Sequence, residues 1–310
     1  MKRVGLDVGF GWTKVVTDEA QFKFRSLVAS YPESGESDVR PVVVMGRSYL
    51  VGEDAKYGRD VRTISNISSY LDYLPVLTRA SVVEAGLEGE KIAAVVGLPP
   101  IYKEYKSKVE ESLKSIGIET FVVPQGYGIL KDVEDRIEND VLILDIGFNT
   151  VDYLIARRGS DGWVKVRSNT VEGLGVQKAV SIFVDRVARE YPFIQREPIG
   201  KKAFYFEKAG ITIEGQKVDL GQEKEAAIGV FIDEVLNRLD EELALKNLFN
   251  QVEAVVVAGG GAHIIPANKV PHPNLIIPEA PEFSQARGYY KVACKVFTEG
   301  RDESAENDIP

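Results

Sequence analysis

Cysteine and histidine are nearly missing from this chain of 310 residues, which has one cysteine, Cys294, and two histidines, His263 and His272. A single cysteine excludes an internal disulfide and a cysteine-based zinc site. Two histidines do not make a cluster for metal binding or acid–base chemistry. The chemistry of this chain therefore rests on carboxylates, amides, lysines and backbone groups.

The sequence also lacks an apolar run of the roughly 20 residues that a bilayer-spanning helix needs. Its N-terminus does not have the layout of a signal peptide, since Asp7 and two glycines interrupt the apolar stretch there. The formal net charge of −9 argues against a large surface for nucleic-acid phosphates. We therefore predict a cytoplasmic protein that has no membrane-spanning segment and does not bind nucleic acid directly.

Two stretches share one pattern, in which an apolar run ends on an aspartate and a glycine-containing turn leads into a second apolar run. The first turn follows Asp7 and the second follows Asp145. A strand that ends on a carboxylate and turns through glycine places the acid beside backbone N–H groups, which suits a metal–phosphate ligand. A third glycine-rich turn, Gly259 to Gly261, follows the apolar run 252–258.

Short strands and helices follow the same order in each half of the chain. The predicted strands that open the two halves are 2–8, 12–17, 21–25, 141–146, 150–157 and 163–169. The predicted helices are 102–116, 176–191, 222–248, 283–298 and one within 68–85, while 124–128 is predicted as a turn. We interpret the chain as a duplicated α/β unit with mixed sheets and a nucleotide cleft between two lobes.

Each glycine turn taken alone has a plainer interpretation, in which its glycines serve only a tight turn. Three such turns in this order favour a ligand site instead. Gly9 and Gly11 would let backbone N–H groups approach a phosphate closely, and Thr13 and Lys14 would add a hydroxyl and a charge. The two aspartates would share one Mg²⁺, mostly through water.

This order of turns resembles the superfamily of actin, the heat-shock chaperones and the sugar kinases, in which two phosphate loops and an adenosine loop clasp ATP between duplicated domains. Finer details are similar to the prokaryotic actin-like proteins of the ParM kind and to the small archaeal actin-like proteins. The supporting stretches are 49–55, 96–100, 124–126 and 283–289. In the last of them, Gln285 stands where the family pattern has Asn, a departure expected to lie away from the phosphates.

The resemblance implies an α/β fold of the duplicated, two-lobed actin-like (ribonuclease H-like) type. It implies a first domain formed by residues 1–145 plus 278–310, with a small subdomain at about 26–75. Residues 146–277 would form the second domain.

The resemblance also implies roles for single residues. Asp7 and Asp145 would be the two carboxylates near the metal, and Gln125 would orient the attacking water. The implied cofactor-binding residues are Gly9, Gly11, Trp12, Thr13, Lys14, Gly147, Asn149, Thr150, Gly173, Gly175, Gly259, Gly260 and Gly261.

Three assignments stay open at this point. The polar contact on the adenine side is one of Lys201, Lys202, Glu207 and Lys208. Gln125 could instead be an exposed turn residue, and Asp152 could either face solvent or lie near the metal.

The implied function is an ATPase that uses ATP and Mg²⁺ and polymerises with itself into filaments, for plasmid or DNA segregation or for cytoskeletal positioning. Because the net charge is negative, attachment to DNA would need a basic DNA-binding adaptor protein. A non-polymerising, nucleotide-dependent switch is the alternative. A small-molecule kinase is a weaker one, since the chain offers no clear candidate for a substrate-binding insert or an aspartate base.

Overall fold

The computed structural model describes residues 1–32, 39–160, 162–243, 251–270 and 272–298. The strands of these residues are β1 Lys2–Val8, β2 Trp12–Val16, β3 Gln21–Arg25, β4 Leu27–Ser30, β5 Val42–Val44, β6 Arg47–Val51, β7 Arg59–Thr63, β8 Ile92–Leu98, β9 Ile118–Pro124, β10 Asp140–Ile146, β11 Thr150–Gly159, β12 Gly162–Glu172, β13 Gly210–Ile213, β14 Gln216–Asp219, β15 Ala254–Ala258 and β16 Leu275–Ile276. The α-helices are α1 Ile67–Glu84, α2 Lys106–Lys114, α3 Tyr127–Val133, α4 Val176–Val187, α5 Ile199–Lys208, α6 Gly221–Leu243 and α7 Ser284–Val296.

Two five-stranded sheets with the same arrangement form the centre of the protein. The first has the strand order β3-β2-β1-β8-β9 and the second the order β12-β11-β10-β15-β16. In both sheets the first three strands pair antiparallel, and the remaining neighbours pair in parallel. The prediction of a duplicated α/β unit with mixed sheets is therefore confirmed.

Helices cover the sheets because their central strands are apolar on both faces. β8 is buried along its whole length, and β10 along most of it. α1 and α2 pack on the first sheet, and α4 and α6 pack on the second. α3 and α7 share a third core with both sheets, in which Tyr127 and Tyr289 lie among Val95, Ile143 and Val256. The two sheets are thus joined through these two helices.

The predicted domain boundary between residues 145 and 146 falls inside β10, which lies in the middle of the second sheet. α7 packs against β1 and β8, so the C-terminal helix lies with the first sheet. A separate sheet of four strands, in the order β5-β6-β4-β7, lies within the predicted small subdomain. The division of the chain into domains stays a prediction.

One predicted element differs from the observed structure, and another extends beyond the described residues. The predicted turn 124–128 contains the start of α3, so that part of the prediction is wrong. The predicted helix 222–248 corresponds to α6, which is described up to Leu243, and residues 244–248 lie outside the described part.

None of the helices in the described ranges combines the length and the apolar character that crossing a membrane requires.

Candidate functional site

β1 and β2 form a hairpin whose turn faces a cleft between the two sheets. The Gly9 N–H donates to the Trp12 carbonyl at 3.0 Å and closes the turn. Asp7 and Lys14 are partners across the hairpin, and Lys14 Nζ lies 2.8 Å from Asp7 Oδ2. Burial opposes the charge on Lys14, but the Asp7 carboxylate outweighs it and raises the pKa of the ammonium group above its ordinary value. The first hairpin therefore presents a buried ion pair to the cleft.

β10 and β11 repeat this turn with a different pair of charges. The Gly147 N–H donates to the Thr150 carbonyl at 2.9 Å, as in the first hairpin. Asp145 is the partner of Asp152, so a carboxylate stands where the first hairpin has a lysine. The hydroxyls of Thr150 and Thr170 donate to the two oxygens of Asp152. Asp152 therefore does not face solvent; it lines the cleft.

The Asp145 carboxyl lies in surroundings that disfavour its charge. The pKa of Asp145 is raised to about 7, first by burial and further by the negative charges of Asp152 and Asp7. Lys14 and a hydrogen bond from Gln285, with 3.3 Å between Gln285 Nε2 and Asp145 Oδ2, work in the opposite direction. The centre of the cleft thus carries more negative than positive charge, which a cation would balance.

This charge balance fits Mg²⁺, with Asp7 and Asp145 as the groups that would hold it. No group of three or more His, Cys, Asp or Glu side chains among the described residues is arranged to hold a metal ion. Because Mg²⁺ is commonly bound by one or two carboxylates together with phosphates and water, two carboxylates are a sufficient protein contribution.

The third glycine turn closes the cleft beside Asp145. Gly259 has φ = 81°, and a Cβ atom on it would lie 2.2 Å from Asp145 Oδ1. A Cβ on Gly261 would lie 2.2 Å from Cγ2 of Ile146. Glycine is therefore required at both positions for this turn to approach the end of β10.

The cleft has a volume of about 710 Å³, which lies in the usual range of ligand pockets. It brings together most of the residues that the sequence singled out. The predicted site residues that line it are Asp7, Gly9, Gly11, Trp12, Lys14, Gln125, Asp145, Gly147, Asn149, Thr150, Gly259, Gly260 and Gly261.

Thr13, Gly173 and Gly175 do not line the cleft. Thr13 is fully buried, and its hydroxyl lies 3.0 Å from the Ser26 hydroxyl, because it points to the opposite face of β2 from Lys14. A Cβ on Gly175 would lie 2.4 Å from the Phe148 carbonyl, so glycine at this position lets the chain pack directly against the second turn. Gly173 has φ = 73° and serves the chain reversal before α4.

Gln285 corrects one sequence-based expectation. It was expected to lie away from the phosphate-binding groups, but it lines the cleft and donates to Asp145. The expectation is wrong because the start of α7 reaches β10, 140 residues away in sequence. The sequence could have placed Asp152 in the cleft, because residues two apart in a strand lie on the same face and Asp152 lies two residues after Thr150.

On the far side of the cleft, Glu207 is the one of the four open candidates that lines the wall. Lys224 of α6 contacts this segment of α5. Its Nζ donates to the Glu207 carbonyl at 3.1 Å and lies over the Phe206 ring. Lys224 lines the same wall and was not predicted, because its helix was interpreted only from its apolar periodicity.

A comparison with protein families finds two models that match consecutive parts of the chain. The model for the N-terminal domain of actin-like proteins matches residues 5–134, and the model for the C-terminal part of the archaeal MreB-like actin homologue matches residues 143–268. The chain belongs to the actin-like proteins. No curated protein sequence matches it.

Solved structures share the fold of this actin-like protein along nearly its whole length. A 15-stranded ParM filament from Clostridium botulinum has a TM-score of 0.75 at 18% identity, covering 95% of this chain and 99% of that chain. The archaeal actin homologue Ta0583 has a TM-score of 0.75 at 20% identity, covering 95% and 100%. The same protein in complex with ADP has a TM-score of 0.73 at 18% identity, with the same coverage.

Proposed function

We propose that this actin-like protein binds ATP together with Mg²⁺ in the cleft between its two sheets and hydrolyses it. The observation that carries the proposal is the pair of hairpins whose turns follow Asp7 and Asp145 and face one glycine-lined cleft. The ADP complex of Ta0583, which has the same fold, supports a nucleotide as the ligand.

The phosphates are proposed to lie against the first two turns. Gly9, Gly11 and Gly147 line the cleft there, and turns with small residues let backbone N–H groups approach an anion. Lys14 adds the positive charge that phosphate oxygens need. The base is proposed to lie on the far side, between the third glycine turn and the wall with Glu207 and Lys224.

Asp7 and Asp145 are proposed to hold Mg²⁺, which when bound neutralises charge on the phosphate oxygens. Gln125 is proposed to orient the water that attacks the γ-phosphoryl group. It lines the cleft, and its backbone N–H donates to the Leu98 carbonyl at 3.0 Å, which fixes the chain directly before α3. The bond from phosphorus to the β–γ bridging oxygen breaks, ADP leaves, and the proton of the water goes to phosphate or solvent.

Phosphate release by purified protein with ATP and Mg²⁺ tests the hydrolysis. Gln125→Ala is expected to slow release at least about tenfold while keeping ATP affinity, since positioning dominates phosphoryl transfer. Asp145→Ala is expected to slow release as well and to weaken the Mg²⁺ dependence of binding. Unchanged turnover in Gln125→Ala would reject its role, and no release by the wild-type protein would reject hydrolysis.

Self-assembly into filaments is the second part of the proposal. ParM, whose filament structure shares the fold, supports it. The expected role is plasmid or DNA segregation or cytoskeletal positioning, with a basic adaptor for DNA because the net charge is −9.

Sedimentation of the protein after addition of ATP and Mg²⁺ tests self-assembly and should yield a pellet. Its absence across salt and temperature would favour a non-polymerising switch.

A further inference from the structure

Gln285 lies in the first turn of α7, and its amide makes two hydrogen bonds in different directions. The side chain is buried, with 3% of the residue exposed. Oε1 accepts from the Ile129 backbone N–H at 3.3 Å, and Nε2 donates to Asp145 Oδ2 at 3.3 Å. One side chain thus joins α7, α3 and the end of β10.

These two bonds determine which way the amide faces. A backbone N–H can only donate, so the amide oxygen must face Ile129 and the NH₂ group must face Asp145. Gly128 leaves the room for this, because a Cβ there would lie 2.7 Å from Gln285 Oε1. On its other side, Asp145 Oδ1 faces Gly259. The carboxylate is therefore held between a fixed donor and a glycine backbone.

The same contact caps a helix beside the proposed water-orienting residue. α3 begins after Gly126, which has no side chain that could accept from the first-turn N–H groups. Those groups lack partners inside the helix, and Gln285 supplies one from α7. Gln125 directly precedes the N-cap residue Gly126, so one amide links the helix that follows Gln125 to the Asp145 carboxylate.

We propose that Gln285 is a positioning residue that keeps the Asp145 carboxylate and the Gln125 segment in one relative geometry for hydrolysis of the bound nucleotide. This inference rests on the function proposed above, because its effect on rate requires turnover. A misplacement of about 1 Å at a reacting site lowers the rate by as much as about 100-fold, so a long-range tether of this kind has a measurable effect.

Two variants remove different parts of the contact. Gln285→Met keeps the length of the side chain and removes both polar atoms. Gln285→Glu keeps an acceptor for Ile129 but replaces the donor to Asp145 with a carboxylate. Both are expected to lower kcat for ATP at least about tenfold, while KM changes less than about threefold.

Ser284→Ala is the matched control. Ser284 is fully buried in the same turn of α7, and its hydroxyl donates to Asp132 Oδ2 at 2.7 Å, but it does not line the cleft. This variant also loses one part-buried hydrogen bond between α7 and α3. It is expected to lower the melting temperature while kcat stays within about twofold of the wild type. A similar loss of kcat in Ser284→Ala would overturn the positioning role.

A double-variant cycle tests whether Gln285 acts through Asp145. Gln285→Met, Asp145→Asn and their combination are compared in kcat and in melting temperature without nucleotide. Residues that act through one contact give non-additive effects, so the combination should lose less than the two single losses together. Independent losses in both measurements, or a lower melting temperature of Gln285→Met with unchanged kcat, would overturn the proposal.

The outcome separates this inference from the proposed function. If the wild-type protein releases no phosphate, the proposed hydrolysis fails. The melting-temperature cycle then decides on the contact between Gln285 and Asp145, because it needs no nucleotide.

Discussion

Asp152 occupies on β11 the position that Lys14 occupies on β2, and this difference gives the two hairpins unlike charges at the centre of the cleft. Asp7 and Lys14 form an ion pair, whereas Asp145 and Asp152 are two carboxylates opposite one another. Like charges directly opposite on neighbouring strands are destabilising. The second hairpin therefore gains most from a bound cation, although its backbone turn is the same as that of the first.

Two neighbouring glycines of the third turn should respond differently to the same substitution. Gly259→Ala places a Cβ 2.2 Å from Asp145 Oδ1 at a backbone with φ = 81°. We expect the free energy of unfolding to fall by about 2 kcal/mol or more, from the left-handed backbone and the overlap. Gly260→Ala meets nothing within 4 Å and should change it by less than about 0.5 kcal/mol. Urea denaturation of both variants measures this, and equal losses would contradict the placement.

The Glu282 carboxylate should contribute to the stability of the folded protein, and this contribution should decrease at acid pH. Burial opposes its charge, but hydrogen bonds from Lys23 and His263 outweigh burial and lower the pKa of Glu282 from 4.5 to about 2. A lowered folded-state pKa contributes stability that is fully present above pH 4.5 and is lost as the pH falls toward 2.

Melting temperatures of the wild type and Glu282→Gln, compared from pH 7 down to about pH 3, measure this contribution. We expect the wild type to be the more stable protein at pH 7 and the difference to shrink below pH 4.5. A difference that stays constant over this range would show that the Glu282 charge does not contribute.

Among the described elements, α7 lies very close to its neighbours at three glycines. A Cβ on Gly5 would lie 2.0 Å from the Ala286 carbonyl, one on Gly97 would lie 1.8 Å from the Tyr289 hydroxyl, and one on Gly288 would lie 1.7 Å from the Gly128 carbonyl. Glycine at these contacts lets the helix lie directly on β1, β8 and α3. The position of Gln285 in the cleft depends on this close packing.

A pair of glycine substitutions in helices tests the closeness of α7 and α3. Gly288→Ala should push the two helices apart and lower the free energy of unfolding by about 1–3 kcal/mol. Gly229→Ala in α6 meets nothing within 4 Å and should raise it by about 0.5–1 kcal/mol, because alanine favours the helix. Urea denaturation compares them, and stabilisation by both substitutions would contradict the described packing.

The sequence predicts those elements in which the pattern of apolar and polar residues matches the pattern of buried and exposed positions. β1, β10 and β11 are examples, because buried strands and glycine turns leave a clear pattern. β7 was missed since all five of its residues are exposed, so its sequence carries no burial pattern. α3 was missed because it starts after Gly126 and contains Gly128, and its first turn is capped by a residue far along the chain.

The same distinction applies to the candidate site. Asp7, Lys14 and Asp145 were predicted because each stands next to a local glycine turn. Gln285 was misplaced because only the packing of α7 against β1, β8 and α3 brings it to Asp145. Thr13 was assigned to the cofactor although strand alternation turns it to the buried face of β2.

For the whole molecule, the important feature is that one cleft is lined from both sheets, which are joined through α3 and α7. A ligand that fills this cleft would contact the first hairpin, the second hairpin and the third glycine turn together. A ligand that binds only the folded state raises the free energy of unfolding, and above its dissociation constant this gain grows with the logarithm of the ligand concentration. A nucleotide is therefore expected to raise the stability of both halves at once.

Calorimetric titration of the protein with ADP in the presence of Mg²⁺ tests the central claim most directly. We predict one binding site per chain, at least about tenfold weaker binding by Lys14→Ala, and unchanged binding by Lys201→Ala, because Lys201 pairs with Glu197 outside the cleft. No binding at millimolar ADP, or equal affinity of Lys14→Ala and the wild type, would contradict a nucleotide site between the two hairpins.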